Sequence, residues 1–338
     1  MSISTFESML SRLYPKNVHT VFSYMDLQTI VNLSRTSSIL HGHYQSYRHV
    51  AWDPDRRYRL WFRNVNAFKR LLRRTNAVIS GSFAVQFFDR EHYPEADMDI
   101  YLRLAGVEDM CDGLLAQGYR YLHADRQYFD VPLSLRIHSQ RAVENKSSPE
   151  NPLLAIYNFQ RWVASATGYI ERQKIQVIVV DTDPIEHILF DFHSTVVMNF
   201  MTANGAYSVF PAATFLSRTS FISKIRPDWV TAAAKWRRKY ERRGYHFVDE
   251  SDDGRAYSRL IESTSRHRVV GDASTWHITF EANSIPSALR PYYGDYVIDI
   301  PFEVLGRESG VVDPRSSVRV AEPYIWSILS RFKVLFDH

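Results

Sequence analysis

Two short stretches carry residue types that can do chemistry together. The first is Ile79-Ser80-Gly81-Ser82, a small-residue turn between the apolar run Ala77-Val78-Ile79 and the apolar block Phe83 to Phe88. A strand, such a turn and a helix start present backbone N–H groups and a hydroxyl at a positive helix terminus, where a phosphate is stabilised. The second is Asp97-Met98-Asp99-Ile100-Tyr101-Leu102, separated from Ser82 by fourteen residues. Strand alternation puts Asp97 and Asp99 on one face and Met98 and Ile100 on the other. Neighbouring carboxylates repel, and a divalent cation or a basic neighbour offsets that repulsion. Hard oxygen ligands suit Mg²⁺ (or Mn²⁺), which typically binds one or two carboxylates together with substrate phosphates. Ser80, Gly81 and Ser82 are therefore the candidate phosphate cradle of a nucleoside triphosphate (NTP), and Asp97 and Asp99 the candidate metal ligands and catalytic acids. Together they would support phosphoryl-transfer chemistry. The competing reading is a surface turn and two solvated aspartates.

An apolar residue, Gly-Ser, a spacer and then Asp-apolar-Asp-apolar resembles the signature of the nucleotidyltransferase superfamily, the fold of DNA polymerase beta. The resemblance spans roughly residues 65 to 200. It implies an α/β (α+β) fold with a mixed sheet flanked by helices, and transfer of a nucleotidyl group from Mg-NTP to a hydroxyl. Active members of that family add a third carboxylate inside a later strand. The best candidate strand is Lys174-Ile175-Gln176-Val177-Ile178-Val179-Val180-Asp181, preceded by Tyr157 to Glu171 as the other arm of a hairpin. Its interior position holds Gln176, a neutral side chain and a poor base or metal ligand. Asp181 is charged but lies at the strand end, on the opposite parity. Either Asp181 substitutes from a shifted register, or the site keeps two acids and the chain is catalytically silent. In the same family a helix beyond the core often brings a basic residue to the triphosphate, and here Lys235 or Lys239 would fill that role.

These groups need elements to hold them. Ala67 to Thr75 has Phe68, Leu71 and Leu72 on one helical face, and the short apolar run Ala77-Val78-Ile79, with β-branched Val78 and Ile79, predicts a buried strand. Ile185 to Met201 has apolar residues at helical spacing and predicts a mostly buried helical region; its Asp191-x-His193 has no third metal ligand in view. Trp229 to Tyr245 predicts a helix stopped by Gly244. Thr275 to Phe280 and Tyr296 to Ile300 read as strands, Glu250 to Gly254 as a polar break, and Tyr324 to Phe336 as a closing helix.

The N-terminal stretch has apolar residues at Val18, Val21, Phe22 and Met25, then at Ile30, Val31 and Leu33. That spacing predicts two short amphipathic helices, with Pro15 in the first turn of one and Asp26 capping the other. Pro15, Val21-Phe22, Met25-Asp26-Leu27 and Leu33-Ser34-Arg35-Thr36-Ser37 resemble an F-box, a segment that docks a substrate receptor on a ubiquitin-ligase adaptor protein. A helical hairpin covering the core is the alternative. The blocks FHSTVVMNF and YSVFPAATF are similar to fungal proteins that join an F-box-like start to this transferase core. The expected organisation is an F-box-like segment over residues 1–48, a nucleotidyltransferase-like core over 49–200 and a C-terminal α+β region over 201–338.

Composition narrows the partners. The chain has 338 residues, 45% of them hydrophobic, which excludes intrinsic disorder. No apolar run approaches a membrane span, and Met1 to Glu7 lacks the basic start of a secretory signal. A single cysteine, Cys111, excludes an internal disulfide and predicts a cytoplasmic or nuclear setting. The net charge of +4 conceals two basic runs. Arg48 to Arg74 has nine basic residues against Asp53 and Asp55, and Lys235 to Arg243 has six against Glu241. Either run would serve as a nucleic-acid or triphosphate surface, or as a solvated helix face.

Overall fold

The computed structural model describes residues 4–122, 152–164, 168, 170–222, 230–248, 267–280 and 294–303. The predicted break at Glu250 to Gly254 and the closing helix at Tyr324 to Phe336 lie outside them.

The N-terminal part is helical: α1 (Thr5–Ser11), α2 (Pro15–Ser23), α3 (Leu27–Ser34) and α4 (Ser38–Ala51). Each start follows from local chemistry. Ser4 and Glu7 form a reciprocal capping box on α1, Pro15 occupies the first turn of α2, and Asp26 accepts from the Thr29 N–H of α3 at 2.6 Å. Leu10, Val18, Phe22, Ile30, Leu40 and Tyr47 bury one another in a cluster of their own. Leu27 of α3 joins the main core, with Val31, Tyr44 and Ala51 packed against it, and two hydrogen-bonding side chains add to that tie. The Trp52 indole donates to the Phe88 carbonyl at 3.0 Å, and Arg90 donates to the carbonyls of Phe22 and Met25 and to the Tyr47 hydroxyl.

Helices α5 (Pro54–Trp61) and α6 (Val65–Thr75) lead to strand β1 (Val78–Ser80), helix α7 (Gly81–Asp89) and strand β2 (Met98–Arg103). Then come α8 (Val107–Ala116), β3 (Arg120–Leu122), and the hairpin of β4 (Leu153–Ala164) and β5 (Ile170–Val180). Beyond it run α9 (Pro184–Asp191), β6 (Asn199–Met201), β7 (Gly205–Ser208), β8 (Thr219–Phe221), α10 (Val230–Glu241), β9 (His246–Val248), β10 (His267–Val269), β11 (Trp276–Thr279) and β12 (Pro301–Glu303).

Among the described residues, eight strands form one mixed sheet in the order β11-β7-β6-β1-β2-β5-β4-β3. β1 runs antiparallel to β2, and β2 parallel to β5. Met98, Ile100, Leu102, Ile175, Val177, Val179, Tyr157 and Phe159 alternate onto one face and join the main core with residues of α6, α7 and α8. The sheet continues past residue 200: the boundary expected there falls inside β6, and β7 and β11 extend the same sheet.

Two predicted elements differ. The region from Ile185 to Met201 is α-helical only to Asp191. Phe192 is extended, Thr195–Val197 form a single 3-10 turn, and that turn leads into β6, where Met201 pairs with Ile79. Tyr296 to Ile300 is no strand; the ladder begins at Pro301, and Tyr296 instead sends its hydroxyl to the Leu72 and Ala77 carbonyls. No described helix is long and apolar enough to cross a membrane.

Candidate functional site

The sheet registers bring the candidate acids together with partners the sequence did not reveal. Ser80 pairs with Asp99, Asp99 with Gln176, and Gln176 with Asn158, so one row crosses β1, β2, β5 and β4. One row further along the same face, the Lys174 ammonium holds Asp97 Oδ2 at 2.9 Å. The Asp97/Asp99 pair is thus compensated by a basic neighbour from the adjacent strand. Lys174 shares the parity of Gln176, so alternation places it on this face; which strand it would face is not written in any local pattern.

Asp99 sits directly over the start of α7. Gly81 has φ +63°, a left-handed conformation that suits glycine, and a Cβ there would collide with Asp99 Oδ2. The sharp turn and the missing side chain let the helix terminus approach the carboxylate. Asp99 Oδ1 is buried and makes no hydrogen bond among the described residues. Desolvation pushes the carboxyl up to about 7. Lys239 of α10 opposes this, Asp97 adds to it, and Lys174 opposes it more weakly. Asp99 keeps a narrow solvent edge, yet protein atoms surround it closely enough for desolvation to dominate.

The three residues of the expected phosphate cradle are not equivalent. The Ser80 hydroxyl donates to the Asn199 carbonyl at 2.6 Å and stays in the interior, so it is unavailable to a phosphate. Gly81 and Ser82 begin α7, and the Ser82 carbonyl accepts from Gln86 within the helix. The cradle therefore reduces to the α7 N-terminus.

Helix α10 brings the basic side chains. Lys239 is the one whose charge reaches Asp99 and Asp97. Its own pKa is lowered by desolvation and by Arg243, while the two carboxylates act in the opposite sense. Lys235 lies a turn earlier and acts on Lys239. Between α10 and the sheet, the His193 ring stacks on Trp236 with centroids 3.8 Å apart, and its Nδ1 meets the Ser194 hydroxyl at 2.7 Å. Burial, and secondarily Lys239, pushes His193 down to about 3, so it is neutral at physiological pH. Asp191 engages His187 at 3.1 Å and not His193, and no group of three or more His, Cys, Asp or Glu able to hold a metal occurs among the described residues.

The register shows which side chain stands beside Asp99 on the neighbouring strand. The position beside Asp99 is Gln176, whose amide donates to Asn158 Oδ1 at 2.9 Å. Asp181 lies past the end of β5, five residues on and of opposite parity, with its N–H on the Pro152 carbonyl. No shifted register brings it to Asp99.

The basic runs do not form continuous stripes. Lys69 pairs with Asp55 at 3.1 Å, Arg74 with Asp109 at 2.6 Å, and Arg237 with Glu241 at 2.9 Å. Arg56, Arg57 and Arg59 instead line a cavity beside the N-terminal helices.

Comparison with known proteins adds no relative: no family model, curated protein or solved structure matches the chain.

Proposed function

We propose that this chain is a catalytically silent, nucleotidyltransferase-like module that binds a nucleoside phosphate with a divalent cation and does not transfer it. The observation that carries this reading is Gln176 in register with Asp99. In a transferase of this kind that position would hold the acid that deprotonates the attacking hydroxyl, and an amide hydrogen-bonded to Asn158 cannot do so.

The remaining groups suit binding. Asp99 has a buried, unpartnered carboxylate oxygen and Asp97 stands beside it, a donor set that fits one Mg²⁺ completed by phosphate and water. When bound, the cation would neutralise the carboxylates and bridge them to phosphate. The α7 N-terminus would give backbone N–H groups to the same phosphate. Lys239 would add positive charge from α10.

The test is titration of an NTP with and without Mg²⁺ or Mn²⁺, alongside a label-transfer assay. Metal-dependent binding that is lost in Asp99→Asn, with no transfer to any acceptor, is the expected result. Transfer that disappears in Asp97→Asn and Asp99→Asn would establish an active enzyme, and absence of NTP binding would remove the nucleotide reading.

A second role, as an adaptor of the F-box type, rests on a separate observation. Tyr14 and Tyr24 flank α2 and are 75% and 87% exposed, although both are large and largely apolar. Exposed aromatics on a small helical unit suit docking on another protein. Tyr14→Ser/Tyr24→Ser should abolish capture of a ubiquitin-ligase adaptor by the full chain; undiminished capture, or none by the unmodified chain, removes this role.

A further inference from the structure

A cavity of about 720 Å³ lies at the join of α2, α4 and α5, apart from the sheet face that carries Asp99. Lys16, Arg56, Arg57, Arg59 and Arg90 line it, and Asp53 is the one carboxylate in its wall. These residues come from four places in the chain: α2, α5 and its cap, and the end of α7. The Arg48 to Arg74 run alone therefore does not account for the convergence.

Their hydrogen bonds leave the charge unneutralised. Arg56 donates to the Val50 carbonyl at 3.0 Å and Arg57 to the Gln86 carbonyl at 3.2 Å. Arg90 is fixed by the carbonyls of Phe22 and Met25 and by the Tyr47 hydroxyl. These acceptors are neutral. Asp53 accepts from the Asp55 N–H at the start of α5, so its charge faces a helix terminus. None of the five cations forms a salt bridge with a carboxylate among the described residues; Glu91 acts on Arg57 only at a distance. Like charges gathered in a concave, partly desolvated space raise the local concentration of anions.

Shape and lining select the kind of anion. The volume is that of a small-molecule site, and half-buried Val50 and Ala51, with Leu60 at 56% exposed, add apolar surface to its wall. Single-stranded nucleic acid would need a row of exposed aromatic faces for its bases, and this wall has two rings, Tyr47, 4% exposed, and half-buried His19, which packs on Tyr47 with centroids 5.9 Å apart and is held by the Ser46 hydroxyl. We infer that the cavity binds a small, multiply phosphorylated anion, which the forked guanidinium groups of Arg56 and Arg59 hold from the solvent side.

The test uses the full chain with tripolyphosphate in EDTA at low ionic strength, followed by calorimetry. One saturable site is expected, with log affinity falling linearly as log salt rises. Arg56→Gln/Arg59→Gln should weaken binding about tenfold or more while Asp99→Asn leaves it unchanged. Arg59→Glu is the companion variant, and a thermal melt of each confirms that the fold persists. The inference is overturned if the unmodified chain shows no saturable binding, or if the arginine variants bind as tightly as it does. It is equally overturned if Asp99→Asn, and not the arginine variants, abolishes binding, because the anion then sits at the sheet. Tighter binding of a single-stranded oligonucleotide of matched charge would replace the small ligand with nucleic acid.

Discussion

Gln176 lies in parallel register with Asp99 and turns its amide to Asn158 at 2.9 Å. The two strands therefore present one acid and one amide side by side, with Lys174 and Asp97 paired in the next row. Replacing Gln176 by Glu would set a third carboxylate against Asp97 and Asp99. Without a cation, the added repulsion should destabilise the fold by about 1–3 kcal/mol. Mg²⁺ should restore most of that loss. Thermal unfolding with and without Mg²⁺ checks this, and a loss unaffected by the metal would place the cation elsewhere.

Asp99 carries the clearest pH dependence. Its carboxyl is pushed up to about 7, mainly by desolvation, whereas an unfolded chain releases that proton near 4. Between those two values the folded state holds a proton that the unfolded state has lost, so stability falls as pH rises across the interval and levels off above 7. Each pH unit corresponds to ~1.4 kcal/mol at full effect, and relaxation around a group with a solvent edge reduces the total to roughly 2 kcal/mol. Asp99→Asn should remove the slope and be the more stable chain at pH 8 in EDTA. Urea denaturation at pH 5 and pH 8 measures it; parallel curves for both chains would contradict the assignment.

Much of this site was legible in the sequence because strands alternate. Met98 and Ile100 flank Asp99, and Ile175 and Val177 flank Gln176, so the two polar groups had to share one face of the sheet once β2 and β5 were neighbours. The helix starts at Pro15 and Asp26 were legible because they are local: Pro15 fixes its own backbone in the first turn of α2, and Asp26 caps α3 through Thr29, three residues on. What the pattern could not show is long-range. Ser80 reads as a phosphate ligand until its hydroxyl meets the Asn199 carbonyl, 119 residues distant. Lys174 enters the sequence only as the first residue of a candidate strand, and it is parallel pairing that sets it against Asp97. The Arg48 to Arg74 run reads as one surface until helix geometry sends Lys69 to Asp55 and Arg74 to Asp109, and leaves Arg56, Arg57 and Arg59 at the cavity. Short strands such as β6 and β7 carry too few residues to show their own period, so the sheet's extension beyond residue 200 was hidden.

Gly81 joins the turn to the acid. Alanine there would adopt the left-handed conformation at a cost of ~1–2 kcal/mol and would also press its methyl group on Asp99 Oδ2. The backbone at the α7 N-terminus must shift to relieve the contact. Gly81→Ala should therefore lower stability by about 2 kcal/mol or more and weaken NTP binding together with it. Gly42, where a Cβ meets nothing within 4 Å, is the control: Gly42→Ala lies within a helix and should be neutral or slightly stabilising. Equal effects of the two substitutions in chemical denaturation would refute the role given to Gly81.

At the other end of α7, Arg218 grips Asp89 with both guanidinium nitrogens, one of them at 2.8 Å, and Tyr245 closes the group. The Asp89 side chain is 2% exposed, so its charge depends on that partner. Arg218→Met should cost about 3–5 kcal/mol, since it leaves a buried carboxylate beside a single hydroxyl. Adding Asp89→Asn removes the stranded charge, and the double variant should recover most of the loss. A double-mutant cycle by urea denaturation reads the coupling directly. Because this pair fixes the C-terminal end of the helix whose N-terminus faces Asp99, NTP affinity should fall in Arg218→Met and return in the double variant. Additive losses in the cycle would show that the two groups stabilise the fold independently, and α7 would then be held by packing alone.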